Sequence, residues 1–123
     1  MEPVLPMVDA SPLWAVAVEA PPLPGACGGV RSVRLTEVQA RRLAAAVNAA
    51  PDSAFNHGTY SCPAESGAVD LVSFNVAAGW QVLIVRLDGC PGIQGVGTLA
   101  RTLTRRVLAE LHRDGVATAP AHL

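Results

Sequence analysis

The chain has 123 residues, which suits one domain; half are hydrophobic and 15% charged, which excludes a chain disordered throughout. Nine basic and ten acidic side chains leave a net charge of −1, without the basic surplus that nucleic-acid binders use to neutralise phosphates. All nine basic residues are Arg, so no Lys is present to serve as a nucleophile or to reach a nucleotide's phosphates.

In chain order, residues 1–11 and 20–29 are rich in Pro, Gly and Ala and read as loosely structured, with a strand between them at 13–18. Residues 30–35 follow as a short strand with Arg31 and Arg34 pointing outward. Thr36-Glu37-Val38-Gln39 has the form of a capping box, which predicts a helix over 36–49 that stops before Pro51. Its apolar face is Ala40, Leu43, Ala44 and Val47; Arg41, Arg42 and Asn48 look away. Residues 51–67 form the main irregular segment.

A hairpin over about 69–88 comes next. Val72, Phe74 and Val76 share one face of its first strand, and Ala77-Ala78-Gly79 reads as a three-residue loop with Gly79 at positive φ. The return strand sets Leu83, Val85 and Leu87 on one face and Trp80, Val82, Ile84 and Arg86 on the other, which predicts a central place in the sheet. A helix over about 98–113 closes the fold, with Ala100, Leu103, Val107 and Leu111 inside, Arg101, Arg105 and Arg106 outside, and Gly115 as its C-cap. The expected class is α+β: a small antiparallel sheet packed by two helices. The expected organisation is an N-terminal segment 1–29, a domain 30–115 and a flexible tail 116–123.

The longest clean apolar stretches are far short of the roughly 20 residues a membrane-spanning helix needs, so no transmembrane segment is expected. The first positive charge is Arg31, which leaves no basic region ahead of an apolar core as an export signal would have. Three cysteines, Cys27, Cys62 and Cys90, allow one internal disulfide. Cys62 and Cys90 frame the same hairpin and can meet across its open end. Their bridge would enclose about 29 residues and contribute roughly 3–4 kcal/mol in the chain-entropy model. The other reading is three small buried hydrophobes.

Candidate chemistry is sparse. Cys62 with His57 is the nearest nucleophile–base pair, and Cys27 and Cys90 could join them around a metal, but no spacing matches a zinc motif; no metal is expected. Glu65, Asp70 and Asp88 read as solvated turn residues beside strand ends, and His112 and His122 as surface. Arg101, Arg105 and Arg106 make a basic strip that is either a solvated face or a docking site for an acidic partner. The stripe of Trp80, Val82 and Ile84 is either an interaction surface or a second core layer beneath the strand bearing Trp14. The scarcity of aromatics leaves little for stacking bases, and no nucleic-acid partner is expected.

Gln94-Gly95-Val96-Gly97-Thr98, followed by Leu99, Leu103 and Val107, is similar to the acetyl-coenzyme A loop of the GNAT acetyltransferases. That resemblance implies that amides at Gly95, Gly97 and Thr98 grip a phosphate-bearing cofactor at a helix N-terminus. Gly92 stands where that family has Arg or Gln. A longer likeness carries a different implication. Ala44-Ala45-Ala46-Val47-Asn48-Ala49-Ala50-Pro51, Tyr60-Ser61-Cys62-Pro63, Gly67 to Phe74 and Val85-Arg86-Leu87-Asp88-Gly89-Cys90 resemble a family of small extracytoplasmic domains of high-GC Gram-positive bacteria, without assigned function. It implies an exported domain whose two framing cysteines pair, and it brings no catalytic residues or cofactor. The leading expectation is therefore a non-enzymatic, disulfide-stapled module that binds a protein or cell-envelope partner through the Trp80 face or the Arg strip.

Overall fold

The structure is a computed structural model, and it describes residues 6–20, 31–53, 69–95 and 100–118. The elements run β1 (Trp14–Ala20), β2 (Arg31–Leu35), α1 (Glu37–Ala49), β3 (Val69–Val76), β4 (Gly79–Arg86), β5 (Gly92–Gly95) and α2 (Arg105–Arg113). The strands form one sheet in the order β2-β1-β3-β4-β5, antiparallel throughout. The protein is an α+β domain.

Strict alternation sorts the sheet's side chains. Ala15, Ala17, Leu35, Val72, Phe74, Val76, Leu83, Val85 and Ile93 are buried on one face, in a core shared with Leu43, Val47, Val107 and Leu111 of the helices. Packing α1 against β1 and β2 is feasible because alanines at 15, 17, 40 and 44 let the backbones approach.

The capping box at the start of α1 forms as written: Thr36 Oγ1 accepts from the Gln39 amide at 3.3 Å, and the Thr36 amide donates to Gln39 Oε1 at 2.9 Å. The predicted inner stripe of α1 is buried, and Ala46 joins it. Asn48 does not face solvent. Its side chain bonds both the amide and the carbonyl of Val8 at 3.1 and 2.8 Å, which pins an N-terminal segment expected to be loose, and Met7 and Val8 enter the core.

The hairpin is tighter than expected. Val76 pairs with Gly79, leaving only Ala77 and Ala78 in the loop, and Gly79 takes φ +130°.

The largest correction concerns the second helix. Residues 100–104 are not helical: α2 begins at Arg105, capped by Thr104, whose hydroxyl accepts from the Val107 amide at 3.2 Å. Upstream, Ile93 and Arg101 exchange two backbone hydrogen bonds, at 2.9 and 2.8 Å, as an antiparallel bridge, so Arg101 pairs with β5 and is not part of a helix. Of the stripe expected inside the helix, Val107 and Leu111 are helical, whereas Ala100 and Leu103 precede it. At the other end the Gly115 cap holds. With Gly115 at φ +85°, its amide donates to His112 O and the Val116 amide to Leu111 O, a Schellman motif closed by the buried pair Leu111 and Val116.

Candidate functional site

The helices cover one face of the sheet, and no described helix covers the other. Register lays that open face out in rows across the strands. The first is Trp14, Asn75 and Trp80; the second is Arg34, Val16, Ser73 and Val82; the third is Ser32, Val18, Leu71, Ile84 and Gln94; Arg86 stands in the next row beside Val69. Five aliphatic side chains thus form a central apolar patch, and the two tryptophans lie at one end of it.

Trp80 is 54% exposed and Val82 is exposed, whereas Ile84 is half-buried. Trp80 meets Trp14 edge to face, with ring centroids 5.1 Å apart and planes at 84°. The Arg34 guanidinium lies 4.3 Å from the Trp14 ring centroid, a cation–π contact that holds both groups in place. Trp14 therefore stands beside Trp80 in the same sheet. The stripe is not a core layer beneath the strand bearing Trp14, because β1 is a neighbour of β3 and not a lid over β4.

Arg34 and Arg86 are the charged residues that register places on this face, and no carboxylate accompanies them among the described residues. Next to Trp80 opens a groove of about 480 Å³, lined by Pro6, Met7, Trp80, Gln81, Val82, Leu83 and Gly95. Gln81 is fixed there by the amide of Asp9, which donates to its Oε1 at 2.7 Å.

The basic strip does not assemble. Arg101 is buried at 6% exposure and donates through Nη1 to the carbonyls of Val47 and Asn48, at 3.3 and 2.8 Å. The last turn of α1 contains no basic residue, so Arg101 supplies from a distant segment the cation that a helix C-terminus attracts. Only Arg105 and Arg106 remain exposed, on the first turn of α2.

Gly95 lies in β5 opposite Leu83, and its amide belongs to a strand, while Gly97 and Thr98 lie outside the described residues. The helix N-terminus that a cofactor's phosphates would need stands at Thr104, with its first turn capped internally. Cys27, His57, Cys62, Glu65 and His122 also lie outside the described residues. Cys90 is half-buried and disulfide-bonded.

One cluster contradicts its sequence reading. Asp70 shares the parity of Val72, Phe74 and Val76 and is buried at 1% exposure, not solvated. It stands directly opposite Glu19 on β1, and its Oδ2 has no hydrogen-bond partner. Burial, and then the neighbouring Glu19 carboxylate, raise its pKa from 3.8 to about 7. Glu19 is held by Arg31 Nη1 at 2.9 and 3.3 Å and accepts the Ala117 amide at 3.1 Å. The signal was present in the sequence, since period-two counting from Phe74 reaches Asp70. Arg34 was similarly legible only as an outward residue; its place over Trp14 depends on which strands pair.

Among the described residues, no three His, Cys, Asp or Glu side chains gather as metal ligands. No helix among them is long and apolar enough to cross a membrane. No protein-family model, no curated protein and no solved structure matches the chain.

Proposed function

We propose that this chain is a non-enzymatic binding module, stapled by a Cys62–Cys90 disulfide and working outside the cytoplasm, that takes a protein or cell-envelope partner on the open face of its sheet. The carrying observation is Trp80, exposed beside Val82 on an apolar face against which no described helix packs. An exposed contiguous apolar patch rimmed by polar groups marks interaction surfaces, and Trp and Arg are the residues that most often anchor them. Arg34 and Arg86, with no carboxylate on the same face among the described strand residues, give the face a positive rim, which favours a partner presenting acidic groups around an apolar centre.

The disulfide state of Cys90 supports the stapled reading. Its position just beyond β4 favours Cys62, which precedes β3, as the partner, and stable disulfides belong to oxidising compartments.

A photo-crosslinking side chain placed at Val82 tests this in the producing cells. One discrete crosslinked partner is expected, lost when Trp80→Ser is added and weakened by the pair Arg34→Glu and Arg86→Glu. The same probe at Val38, exposed on α1, should capture nothing comparable. Equal capture from both positions would sink the proposal. The competing acyl-coenzyme A reading is tested by a thermal shift with acetyl-coenzyme A. A ligand at about 100 times its Kd would add about 2.7 kcal/mol, and a flat response removes that reading.

A further inference from the structure

The covered face holds a device that partner binding on the other face does not use. Glu19 and Asp70 occupy directly opposed positions on β1 and β3, where Cβ atoms lie about 4.5–5.5 Å apart. One oxygen of Asp70 is buried without a partner. Glu19 is the better supported of the two: its side chain is 15% exposed, Arg31 neutralises it from β2, and its Oε2 also receives the Ala117 amide. That last bond seats the segment after α2, just past Val116, which is a core residue.

We propose that Glu19 and Asp70 form a proton-operated latch, which holds residues 116–118 against β1 while Asp70 carries a proton and loosens them when that proton leaves to solvent. With Asp70 neutral, Glu19 is the only anion of the pair, and Arg31 balances it. Ionised Asp70 sets two carboxylates side by side, with one guanidinium, on the far side of Glu19, to balance both. Asp70 is buried and cannot retreat. Glu19 can, by following Arg31, whose side chain is 63% exposed, toward water, and it then releases the Ala117 amide.

The surrounding charges leave this balance intact. From β4 the residue opposite Asp70 is Val85, and Arg86 falls on the open face. The end of α2 brings Glu110, His112, Arg113 and Asp114, and α1 brings Arg42 toward Asp114. Among the described residues, the charged group that raises the Asp70 pKa is Glu19.

The test is amide hydrogen exchange at Ala117 in the full chain, from about pH 5 to about pH 8.5 and corrected for intrinsic rates, alongside the carbon-13 shift of the Asp70 carboxyl. Protection at Ala117 should fall about tenfold through the carboxyl's own midpoint, near 7. Asp70→Asn should make that protection independent of pH. Glu19→Gln keeps the proposal testable if the Asn variant does not fold: it should move the Asp70 midpoint downward by removing the like charge. Protection that stays flat in the unmodified chain, or falls equally in Asp70→Asn, overturns the latch. Neither result depends on whether a partner binds the Trp80 face.

Discussion

The two faces of this sheet come from the same strands and the same alternation, yet they are built for different things. The inner face presents Ala15, Ala17, Val72, Phe74 and Val85, apolar groups that fit under two helices and lose nearly all contact with water. The outer face presents the two tryptophans, Arg34, Arg86 and a patch of aliphatic side chains that remain partly accessible. Apolar residues on both sides of a strand ordinarily indicate burial on both sides. Here the second side has no helix among the described residues, Arg34 and Arg86 stand at its margins, and Trp80 stays exposed. Alternation specifies which residues share a face; only the number of helices available decides which face is core.

Breaking the inner face should have the largest effect. Phe74→Ala leaves a cavity under α1 and α2 and should cost about 3–5 kcal/mol, read as a lower urea midpoint at unchanged slope. Removing Arg101 comes next. Arg101→Ala takes the guanidinium donor from the Asn48 carbonyl and leaves the Val47 carbonyl to the Ala50 amide, for roughly 1–3 kcal/mol, whereas Arg105→Ala, exposed on α2, should shift the midpoint by less than about 0.5 kcal/mol. Similar losses from the two would show that Arg101 does not cap α1.

Asp70 is a discordant member of the inner face, and pH sharpens its contrast with the apolar rest. The folded chain keeps the Asp70 proton up to about pH 7, while the unfolded chain releases it near pH 4. Stability contributed by the neutral form is therefore full below about pH 4, falls as pH rises to about 7, and is level above that. Asp114 is pushed upward too, by burial and then by Glu110, and adds in the same direction. Thermal melts across this range should show Tm declining in the unmodified chain and declining much less in Asp70→Asn.

Breaking the outer face should have a much smaller effect than breaking the inner one. Trp80→Ser loses the edge contact with Trp14 and part of its burial, about 1 kcal/mol, while partner capture at Val82 disappears. A loss comparable to Phe74→Ala would make the outer face core, and the functional reading would fall. Thr104→Ala, costing about 1 kcal/mol where Thr98→Ala costs nothing, would confirm which threonine starts α2.

Much of the fold was legible because it is written locally. The Thr36/Gln39 box and the terminating Pro51 define α1, period two defines β3 and β4, and Gly115 ends α2. What misled was local as well: the spacing of Ala100, Leu103, Val107 and Leu111 is helical in pattern. Pairing of Arg101 with Ile93, together with its donation to the end of α1, outweighs that preference for residues 100–103. The candidate site was legible only in part. Trp80, Val82 and Ile84 were placed on one face by counting, but Trp14 and Arg34 joined them through strand order, which counting does not contain.

The sequence by itself determined the α+β class, the capped first helix, the hairpin and the two-sided apolar character of β4, because each follows from periodicity or from hydrogen bonds spanning a few residues. The tertiary structure alone decided that Gly92–Gly95 forms an edge strand, that Arg101 is an internal cap and that Asp70 faces Glu19 in the core. Those outcomes depend on contacts between residues tens of positions apart, whose energies no short window of sequence contains.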